Sequence, residues 1–292
     1  MPRRRWGRIR SLLFAPGNDL RKLRRLGDFG ADAVVLDLED AVADEEKVAA
    51  RDVARSHLSG LKAAGRPTLV RVNGADTGLY IDDVKAVLAD GLDGIVVPKV
   101  QDPKVLWDAD PLLAQFEAEA GIPNGTIRLL ALIETAQGMM RCEEIMANAP
   151  ERLERVVLGS GDYRAELGLG VSAGESELAY PRGRLVVASI AAGLGAPVDG
   201  PFINIEDDAG LQVSCTISKS FGFEGRVVVY PGQVNTVNRV FGNYTPEELQ
   251  HFRRIVEAFE AAEASGSAAI RVDGVFVDYP IYRQAKEVLG AL

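Results

Sequence analysis

Charged and polar residues follow most of the short apolar segments of this sequence. If those segments are parallel strands of one sheet, their carboxyl ends meet at one edge, and the side chains there share a single site. Glycine, serine or asparagine would be the ordinary residues at such ends, so a charge after nearly every segment favours chemistry over structure. The residues concerned are Asp37, Glu39, Asp40, Arg71, Asn73, Lys99, Glu134, Asp162, Asn204 and Tyr230.

Glu134 and Asp162 follow consecutive apolar segments. On neighbouring parallel strands they would lie about 5 Å apart, where two carboxylates repel each other unless a proton or a cation lies between them. Oxygen ligands with no histidine or cysteine nearby favour Mg²⁺. Gly159 and Gly161 would let a ligand approach the backbone closely. The alternative is a pair of salt bridges at the rim of the sheet.

Arg71 and Lys99 supply positive charge among these acids. The forked guanidinium of Arg71 suits a substrate carboxylate or a developing enolate oxygen; it could also form a salt bridge to Glu39 or Asp40. Lys99 could form a Schiff base with a carbonyl substrate. Its alternative is an ion pair with nearby carboxylates, which would raise its pKa and oppose nucleophilic use.

Two other kinds of site are disfavoured. The chain has two histidines, His57 and His251, and both fall in predicted helices away from the strand ends. A zinc site built on a histidine cluster is therefore not expected. Ser160 lies in GSGD, which is not the G-x-S-x-G turn of serine hydrolases, and no histidine follows it closely.

The elements that must position these residues alternate between strand and helix patterns. Eight such β/α units predict an α/β fold of the TIM (β/α)₈ barrel type rather than an open sheet. The predicted strands are 11–15, 33–38, 68–73, 94–99, 128–134, 155–159, 198–204 and 226–230, and the helices between them are 19–29, 44–64, 78–90, 102–120, 137–149, 182–194 and 206–221.

The pattern changes in the last part of the chain. We assign residues 1–240 to the barrel and residues 241–292 to a C-terminal helical and hairpin extension. A helix is predicted to begin with Thr245 as its N-cap and Pro246 in its first turn. A loop, a short hairpin and a last helix follow. This extension is expected to pack on its own barrel or on a neighbouring subunit.

Composition narrows the class of protein. The 292 residues are 47% hydrophobic and 26% charged, with a net charge of −9, and the apolar runs are too short to span a membrane. With no signal-peptide pattern and two isolated cysteines, Cys142 and Cys215, we expect a reduced, cytoplasmic protein. Residues 1–25 carry a local charge of +8. This arm could be simply solvated or could attract an anionic, phosphorylated cofactor, whereas the acidic remainder disfavours nucleic acid.

The motifs, taken together and in this order, resemble the HpcH/HpaI aldolase–citrate lyase superfamily, in particular its citrate lyase β-subunit-like and malyl-CoA lyase branch. The resemblance covers nearly the whole chain. Two positions depart from the family pattern, since Tyr230 replaces a histidine and Tyr163 a leucine. The motifs are RSLLFAPGN (10–18), VVLDLEDAV (34–42), VRVN (70–73), VVPK (96–99), ALIETAQG (131–138), GSGDYRAELG (159–168), YPGQVNTVN (230–238) and VDGVFVDYP (272–280).

The resemblance implies a homotrimer or hexamer with a role for each candidate residue. Mg²⁺ would be bound by Glu134 and Asp162, and Arg71 would contact acid or enolate oxygens. Glu39 and Asp40 would hold metal-bound waters or orient Arg71. The cofactor-binding candidates are Arg10 and Lys22, which would meet the phosphates of coenzyme A, and Lys99. Asp278, or with less support Asp273, would reach the site from the neighbouring subunit.

The implied activity is that of a magnesium-dependent carbon–carbon lyase. It would cleave a hydroxyacyl-CoA thioester of the malyl-CoA, methylmalyl-CoA or citramalyl-CoA type into an acyl-CoA and a 2-oxo acid. Two alternatives stay open, and the departures at Tyr230 and Tyr163 concern the first of them. One is a thioesterase that acts on the same substrates. The other is a citrate lyase β-like subunit that works only inside a multi-protein complex.

Overall fold

Eight parallel strands form a closed barrel in which each strand pairs with the next and the eighth pairs with the first. The structure is a computed structural model that describes residues 6–63, 65–242 and 244–290. The predicted (β/α)₈ barrel is confirmed. Its strands are β1 (Ser11–Pro16), β2 (Ala33–Asp37), β3 (Thr68–Arg71), β4 (Gly94–Val97), β5 (Arg128–Ile133), β6 (Leu153–Leu158), β7 (Val198–Asp199) and β8 (Gly225–Val228).

Both faces of the strands are buried, which explains their nearly continuous apolar character. Alternate residues such as Leu12, Val35 and Leu130 fill the interior of the barrel. The residues between them, such as Leu13 and Val34, pack against the surrounding helices. The period of two along each strand therefore decides which side chains reach the inside of the barrel and which reach its helical layer.

Helices cover the outside of the barrel and connect its strands. Single turns of 3₁₀-helix occur at 26–29, 44–46, 75–77 and 231–233, and a longer irregular segment occupies 173–178. The helices of this unit are α1 (Leu20–Leu23), α2 (Lys47–Lys62), α3 (Tyr80–Val87), α4 (Lys104–Glu119), α5 (Ala136–Met140), α6 (Cys142–Ala147), α7 (Ser160–Leu167), α8 (Ala179–Ala191), α9 (Asp208–Phe221) and α10 (Val234–Val240).

The elements differ from the sequence prediction in several places, and the helix expected at 19–29 is a short α1 followed by a 3₁₀ turn. The strand expected at 198–204 ends at Asp199, because Gly200 and Pro201 follow and proline has no N–H to donate. The helix expected at 137–149 is divided at Arg141, whose φ of −112° and ψ of 12° are not helical. The prediction misses α7, which begins inside a Gly-Ser-Gly sequence. It also misses α10, whose valine, asparagine and threonine residues have low helix propensity.

The amino end of the barrel is closed by buried charged residues and by the N-terminal segment. Arg155 is fully buried and donates to the carboxylates of Glu154 and Glu224 and to the carbonyl oxygen of Gly7. The backbone N–H of Trp6 donates to Glu154 at 3.0 Å. The interior is therefore sealed at the end opposite the expected site.

The chain divides into two units, the first ending at Phe241 and the second beginning at Gly242. The second unit has its own small core of Ile255, Phe259, Val272, Val277 and Ala285. Its packing partner stays a prediction. Its elements are α11 (Pro246–Ala264), the antiparallel hairpin of β9 (Ile270–Val272) and β10 (Val275–Val277), and α12 (Tyr279–Gly290).

The predicted features of this second unit are confirmed locally. Thr245 and Glu248 form a capping box at the start of α11. The hairpin turns at Asp273 and Gly274, which both have positive φ, as a two-residue turn of this kind requires. Residues 1–5 of the basic arm and the last two residues of the predicted C-terminal helix lie outside the described residues. Among the described residues, no helix combines the length and apolar character needed to cross a bilayer.

Candidate active site

Three charged residues extend inward-facing rows of the barrel at the carboxyl ends of their strands. Each follows an interior-facing apolar residue by two positions, so its side chain lies on the same side, beyond the last apolar layer. All three line one cavity. They are Asp37 at the end of β2, Arg71 at the end of β3 and Glu134 directly after β5.

Arg71 is held by several carboxylates. Its Nε and Nη2 donate to the two oxygens of Asp37 at 2.7 and 2.6 Å. Its Nη1 lies 3.0 Å from Glu39 Oε2 and 3.7 Å from Asp40 Oδ2, and its guanidinium lies 5.3 Å from the ring centroid of Phe14. Burial alone would lower the pKa of Arg71. The hydrogen bond and the negative charge of Asp37, together with the charge of Glu39, outweigh burial and raise this pKa. Arg71 is thus a fixed cation at the cavity wall.

Lys99 lies beside the same acids. Its Nζ is 2.6 Å from Glu39 Oε1 and 3.7 Å from Asp40 Oδ1. Burial favours the neutral amine, but the bond with Glu39 and the nearby carboxylates, including Asp162, raise the pKa of Lys99 above its usual value. A charged, paired ammonium is a poor nucleophile, so the geometry favours the ion pair over a Schiff-base role.

Glu134 is almost completely buried in an acidic environment. Its Oε1 accepts the backbone N–H of Lys99 at 2.7 Å. Burial, and then the charges of Glu39 and Asp162, raise the pKa of Glu134 to about 8. A Cβ at Gly159 would lie 2.1 Å from Glu134 Oε2, so only glycine leaves room for this carboxylate. Without a compensating positive charge, such a carboxyl holds a proton near neutral pH.

Asp162 belongs to a helix rather than to a strand end. Strand β6 ends at Leu158, and Asp162 lies in the first turn of α7. The prediction that it ends a strand is therefore wrong in detail, because the helix begins at Ser160. The change places the carboxylate at a helix N-terminus, where the helix dipole favours negative charge. Asp162 lines the same cavity as Glu134.

A buried ion network anchors the helix that carries Asp162. Arg164 of α7 donates to Glu175 Oε1 at 2.9 Å. Arg182 Nη2 and Arg226 Nη2 lie 2.6 and 3.1 Å from Glu175 Oε2. Burial opposes the charge, but the charge of Arg226 and bonds with Ser214, Arg182 and Arg164 lower the pKa of Glu175 well below its usual value. Glu175 therefore fixes α7 against α8 and β8.

The cavity at the carboxyl ends of the strands has a volume of about 400 Å³. One wall is charged and contains Asp37, Asp40, Arg71, Glu134 and Asp162. The other wall is defined by its apolar residues, which come from β1, β5, β6 and β8 and from the segments after β2, β7 and β8. Its apolar residues are Phe14, Ala15, Pro16, Ala41, Leu132, Leu158, Pro201, Val227 and Val229, with Gly159, Gly161 and Lys22 completing the lining.

The residues of the charged wall fit a hard divalent cation. Glu134 and Asp162 would supply oxygen ligands, and Glu134 is buried beside the negative charges of Glu39 and Asp162. Within the described residues, no three His, Cys, Asp or Glu side chains form a closed metal cluster. Mg²⁺ does not require one, because it typically takes one or two carboxylates and fills its shell with water and substrate oxygens.

The structure does not bring all the predicted site residues together. Lys22 lines the cavity near α1, with its Nζ 3.3 Å from Asp19. Arg10 directly precedes β1, at the opposite end of the barrel, and its guanidinium is paired with Asp32 at 2.7 Å. The geometry therefore gives Arg10 no contact with the cavity. Asp278 belongs to the second unit, and its approach to a partner's site stays a prediction.

Three polar residues that were expected at strand ends lie outside the described lining of the cavity. Asn73 donates to Asp83 through its backbone and its side chain, at 2.8 and 2.6 Å. Asn204 is exposed in the segment after β7. The ring of Tyr230 is half exposed and lies so close to Gly232 that a Cβ there would be 2.6 Å away.

Sequence reasoning missed three features of the site. It named Asp37 at a strand end but gave it no role, although Asp37 is the bidentate partner of Arg71. It also missed the apolar wall. The alternation of Val227 and Val229 could have indicated that wall, whereas the anchoring role of Glu175 had no signal in the sequence.

A parallel eight-stranded barrel with a clamped arginine and two carboxylates in one cavity at its carboxyl end defines a (β/α)₈-barrel protein with an acidic site. The chain belongs to the HpcH/HpaI aldolase/citrate lyase family, whose sequence model matches residues 10–231. The resemblance inferred from the motifs is thus confirmed. Membership of this family supports a lyase enzyme.

Named relatives and a solved structure match the chain over most of its length. It is 34% identical to the citrate lyase subunit beta of Leuconostoc mesenteroides subsp. cremoris, over 96% of this chain and 92% of that protein. It is 35% identical to a (3S)-malyl-CoA thioesterase of Cereibacter sphaeroides, over 92% and 90%. The structure of CitE from Mycobacterium tuberculosis in complex with magnesium, acetoacetate and coenzyme A matches with a TM-score of 0.75 and 26% identity, over 97% and 98%.

Proposed function

We propose that this protein is a magnesium-dependent carbon–carbon lyase that cleaves a hydroxyacyl-CoA thioester of the malyl-CoA, methylmalyl-CoA or citramalyl-CoA type. The observation that carries the proposal is the meeting of Glu134, Asp162 and Arg71 in one cavity of about 400 Å³. The solved CitE complex with magnesium, acetoacetate and coenzyme A supports the same ligand chemistry.

Glu134 and Asp162 would hold the cation. When bound, Mg²⁺ supplies a Lewis acid that orients a 2-hydroxy or 2-oxo carboxylate and stabilises negative charge on its oxygen. The buried, acidic setting of Glu134 suits this role, because a cation relieves the repulsion from Glu39 and Asp162.

Arg71 would stabilise the charge that cleavage creates. In the reaction, the substrate hydroxyl loses its proton and becomes the carbonyl of the 2-oxo acid, while the adjacent carbon–carbon bond breaks. The electron pair of the broken carbon–carbon bond passes to the carbon next to the thioester. The enolate that forms then takes up a proton to give the acyl-CoA. A fixed guanidinium beside that enolate oxygen is favourable electrostatically. Asp37 and Glu39 keep Arg71 charged and oriented.

The remaining roles concern recognition and the proton. Lys22 at the cavity rim suits the phosphates of the coenzyme A part of the substrate. Asp278 would move the proton to or from the enolate carbon from a neighbouring subunit of a homotrimer or hexamer. Asp40, which is half exposed near Arg71 and Lys99, would hold waters at the cavity mouth.

A thioesterase is the second candidate, and the 35% identity to a (3S)-malyl-CoA thioesterase favours it. In that reaction, water attacks the thioester carbonyl and the carbon–carbon bond is retained. The likeness to citrate lyase subunit beta favours a third role, as a subunit that receives its acyl group inside a complex.

One incubation separates the three functions. The purified protein is mixed with malyl-CoA and Mg²⁺, and the products are resolved by chromatography. Glyoxylate with acetyl-CoA is the expected result and identifies the lyase. Malate with free coenzyme A would instead identify the thioesterase, and the absence of turnover would favour the subunit role.

A further inference from the structure

Lys99 has an unusual backbone conformation for its residue type. It follows β4 and Pro98, and its φ of 49° lies in the left-handed region. Glycine and asparagine adopt this region readily, whereas lysine does so at a cost in free energy. This cost implies that the surrounding structure holds the backbone of Lys99 in its left-handed conformation.

The backbone of Lys99 is directed at Glu134. Its N–H donates to Glu134 Oε1 at 2.7 Å. The next N–H, that of Val100, donates to the carbonyl oxygen of Leu132 at 3.1 Å, which holds the corner after β4 against β5. The left-handed turn thus sets the direction of the Lys99 N–H and, through it, the rotation of the Glu134 carboxylate.

The side chain of Lys99 is directed at Glu39. Its Nζ lies 2.6 Å from Glu39 Oε1. Glu39 Oε2 is buried and lies 3.0 Å from Arg71 Nη1, although no hydrogen bond to it has acceptable geometry within the described residues. Lys99 Nζ therefore provides the well-formed bond that orients Glu39 beside Arg71.

We propose that Lys99 is a positioning residue that couples the cation site to the arginine. Its left-handed backbone aims Glu134, and its ammonium holds Glu39 in place against Arg71. This inference rests on the proposed function, because it concerns the same cavity. It assigns Lys99 neither a covalent role nor a contact with coenzyme A.

The test uses substitutions that separate the backbone conformation of Lys99 from its side-chain amine. Lys99→Gly accepts the left-handed conformation and keeps the N–H, but lacks the amine. Lys99→Val also lacks the amine, and its branched side chain opposes that conformation. Lys99→Arg keeps a positive charge. The affinity of each full-length variant for Mn²⁺, a probe for the Mg²⁺ site, is measured by electron paramagnetic resonance, and the free energy of unfolding is measured in parallel.

Lys99→Gly is expected to bind Mn²⁺ within about threefold of the wild type. Lys99→Val is expected to bind at least tenfold more weakly than Lys99→Gly, in the range that partners of metal ligands typically show. With malyl-CoA, Lys99→Gly is expected to lower kcat about tenfold with little change in KM, and Lys99→Arg to recover part of that loss. If the role of Lys99 were merely structural, the substitutions would change the free energy of unfolding. They would not separate a loss of kcat, in Lys99→Gly, from a loss of Mn²⁺ affinity, in Lys99→Val.

Equal Mn²⁺ affinities for Lys99→Gly and Lys99→Val would overturn the inference while leaving the proposed function intact. If Lys99→Val does not fold, Lys99→Ala makes the same comparison, with a smaller expected loss of affinity that still exceeds that of glycine. A wild-type protein that binds no Mn²⁺ would overturn both the inference and the magnesium-dependent function.

Discussion

Asp37 and Arg71 are register partners on adjacent strands, and their side chains meet in two parallel hydrogen bonds of 2.7 and 2.6 Å. The barrel ladder itself therefore positions the guanidinium. A side chain that is set by strand register and a bidentate bond has little freedom to follow a misplaced substrate. This is the preorganised arrangement that stabilises charge as it develops in a reaction.

Arg71→Lys is expected to lower kcat with malyl-CoA by about 100-fold, because an ammonium cannot form the forked pair with Asp37 and present a donor to the substrate at the same time. Steady-state kinetics provide the measurement. Arg141→Lys is the control, since Arg141 forms partly exposed ion pairs with Asp102 and Glu144 away from the cavity. Wild-type kcat in Arg71→Lys would contradict an electrostatic role for Arg71.

Gly159→Ala is expected to abolish high-affinity Mn²⁺ binding, because the new Cβ would lie 2.1 Å from Glu134 Oε2 and displace that carboxylate. Gly170→Ala is the control, because Gly170 lies outside the cavity lining and a Cβ there meets nothing within 4 Å. Calorimetric titration of both variants makes the comparison. Equal affinities would show that the position of Glu134 is not critical for the cation.

Glu134→Gln and Asp162→Asn are each expected to remove Mg²⁺-dependent activity with little loss of fold. In the absence of metal, Glu134→Gln should be as stable as the wild type or more stable, because a neutral amide replaces an acid whose charged form is disfavoured by burial and by the charges of Glu39 and Asp162. The rise in Tm on adding Mg²⁺, measured by thermal unfolding, should disappear in both variants. Glu144→Gln, on the partly exposed side of α6, is the control. Metal-dependent turnover in either variant would show that the ligands are assigned wrongly.

Asp278→Ala is expected to be inactive on its own and to regain activity when mixed with inactive Glu134→Gln subunits. In a mixed oligomer, the intact Asp278 of one subunit would meet the intact cation site of another. Activity is measured after subunit exchange, and native mass spectrometry verifies that both variants are present. Verified mixed oligomers without recovered activity would place the proton-transfer group within the same chain or at another residue.

Glu175→Gln is expected to destabilise the protein by about 3–5 kcal/mol, because it leaves buried arginines without their shared carboxylate. Chemical denaturation measures this loss, with exposed Glu119→Gln as the control. Folding lowers the pKa of Glu175. The stability that the charged Glu175 contributes is therefore complete above the unfolded-state pKa of about 4.5, and it is lost as the pH falls from there towards the folded-state pKa. The stability difference between wild type and variant should therefore shrink in acid.

The barrel could be predicted because its signals are local. Each strand is a short apolar run that ends in a polar residue, and each helix between strands has its own period. Helix α7 could not be predicted in the same way. It begins within Gly-Ser-Gly, and its place is secured by contacts such as Arg164 to Glu175, which lie in different elements.

The acids of the site could be named from the sequence, but their partners could not. Glu134 and Asp162 are visible as polar residues after apolar runs. The Asp37–Arg71 pair depends on strand register, which the apolar pattern leaves open. Arg10 shows the opposite failure. The charge of Arg10 and its motif suggest phosphate binding. Arg10 precedes β1, however, so it lies at the far end of the barrel and pairs with Asp32.

The closed amino end of the barrel also determines how small molecules enter and leave the cavity. Below the cavity, the described interior is filled by buried side chains, and Arg155 with the N-terminal segment closes the far end. Substrate and both products of a cleavage reaction must then share one opening at the carboxyl ends of the strands. If the small acid binds beside Glu134 and the coenzyme A part nearer the opening, the small acid leaves after the larger product has moved away. For the proposed lyase, a single opening predicts an ordered release, with the coenzyme A product first and the small acid second.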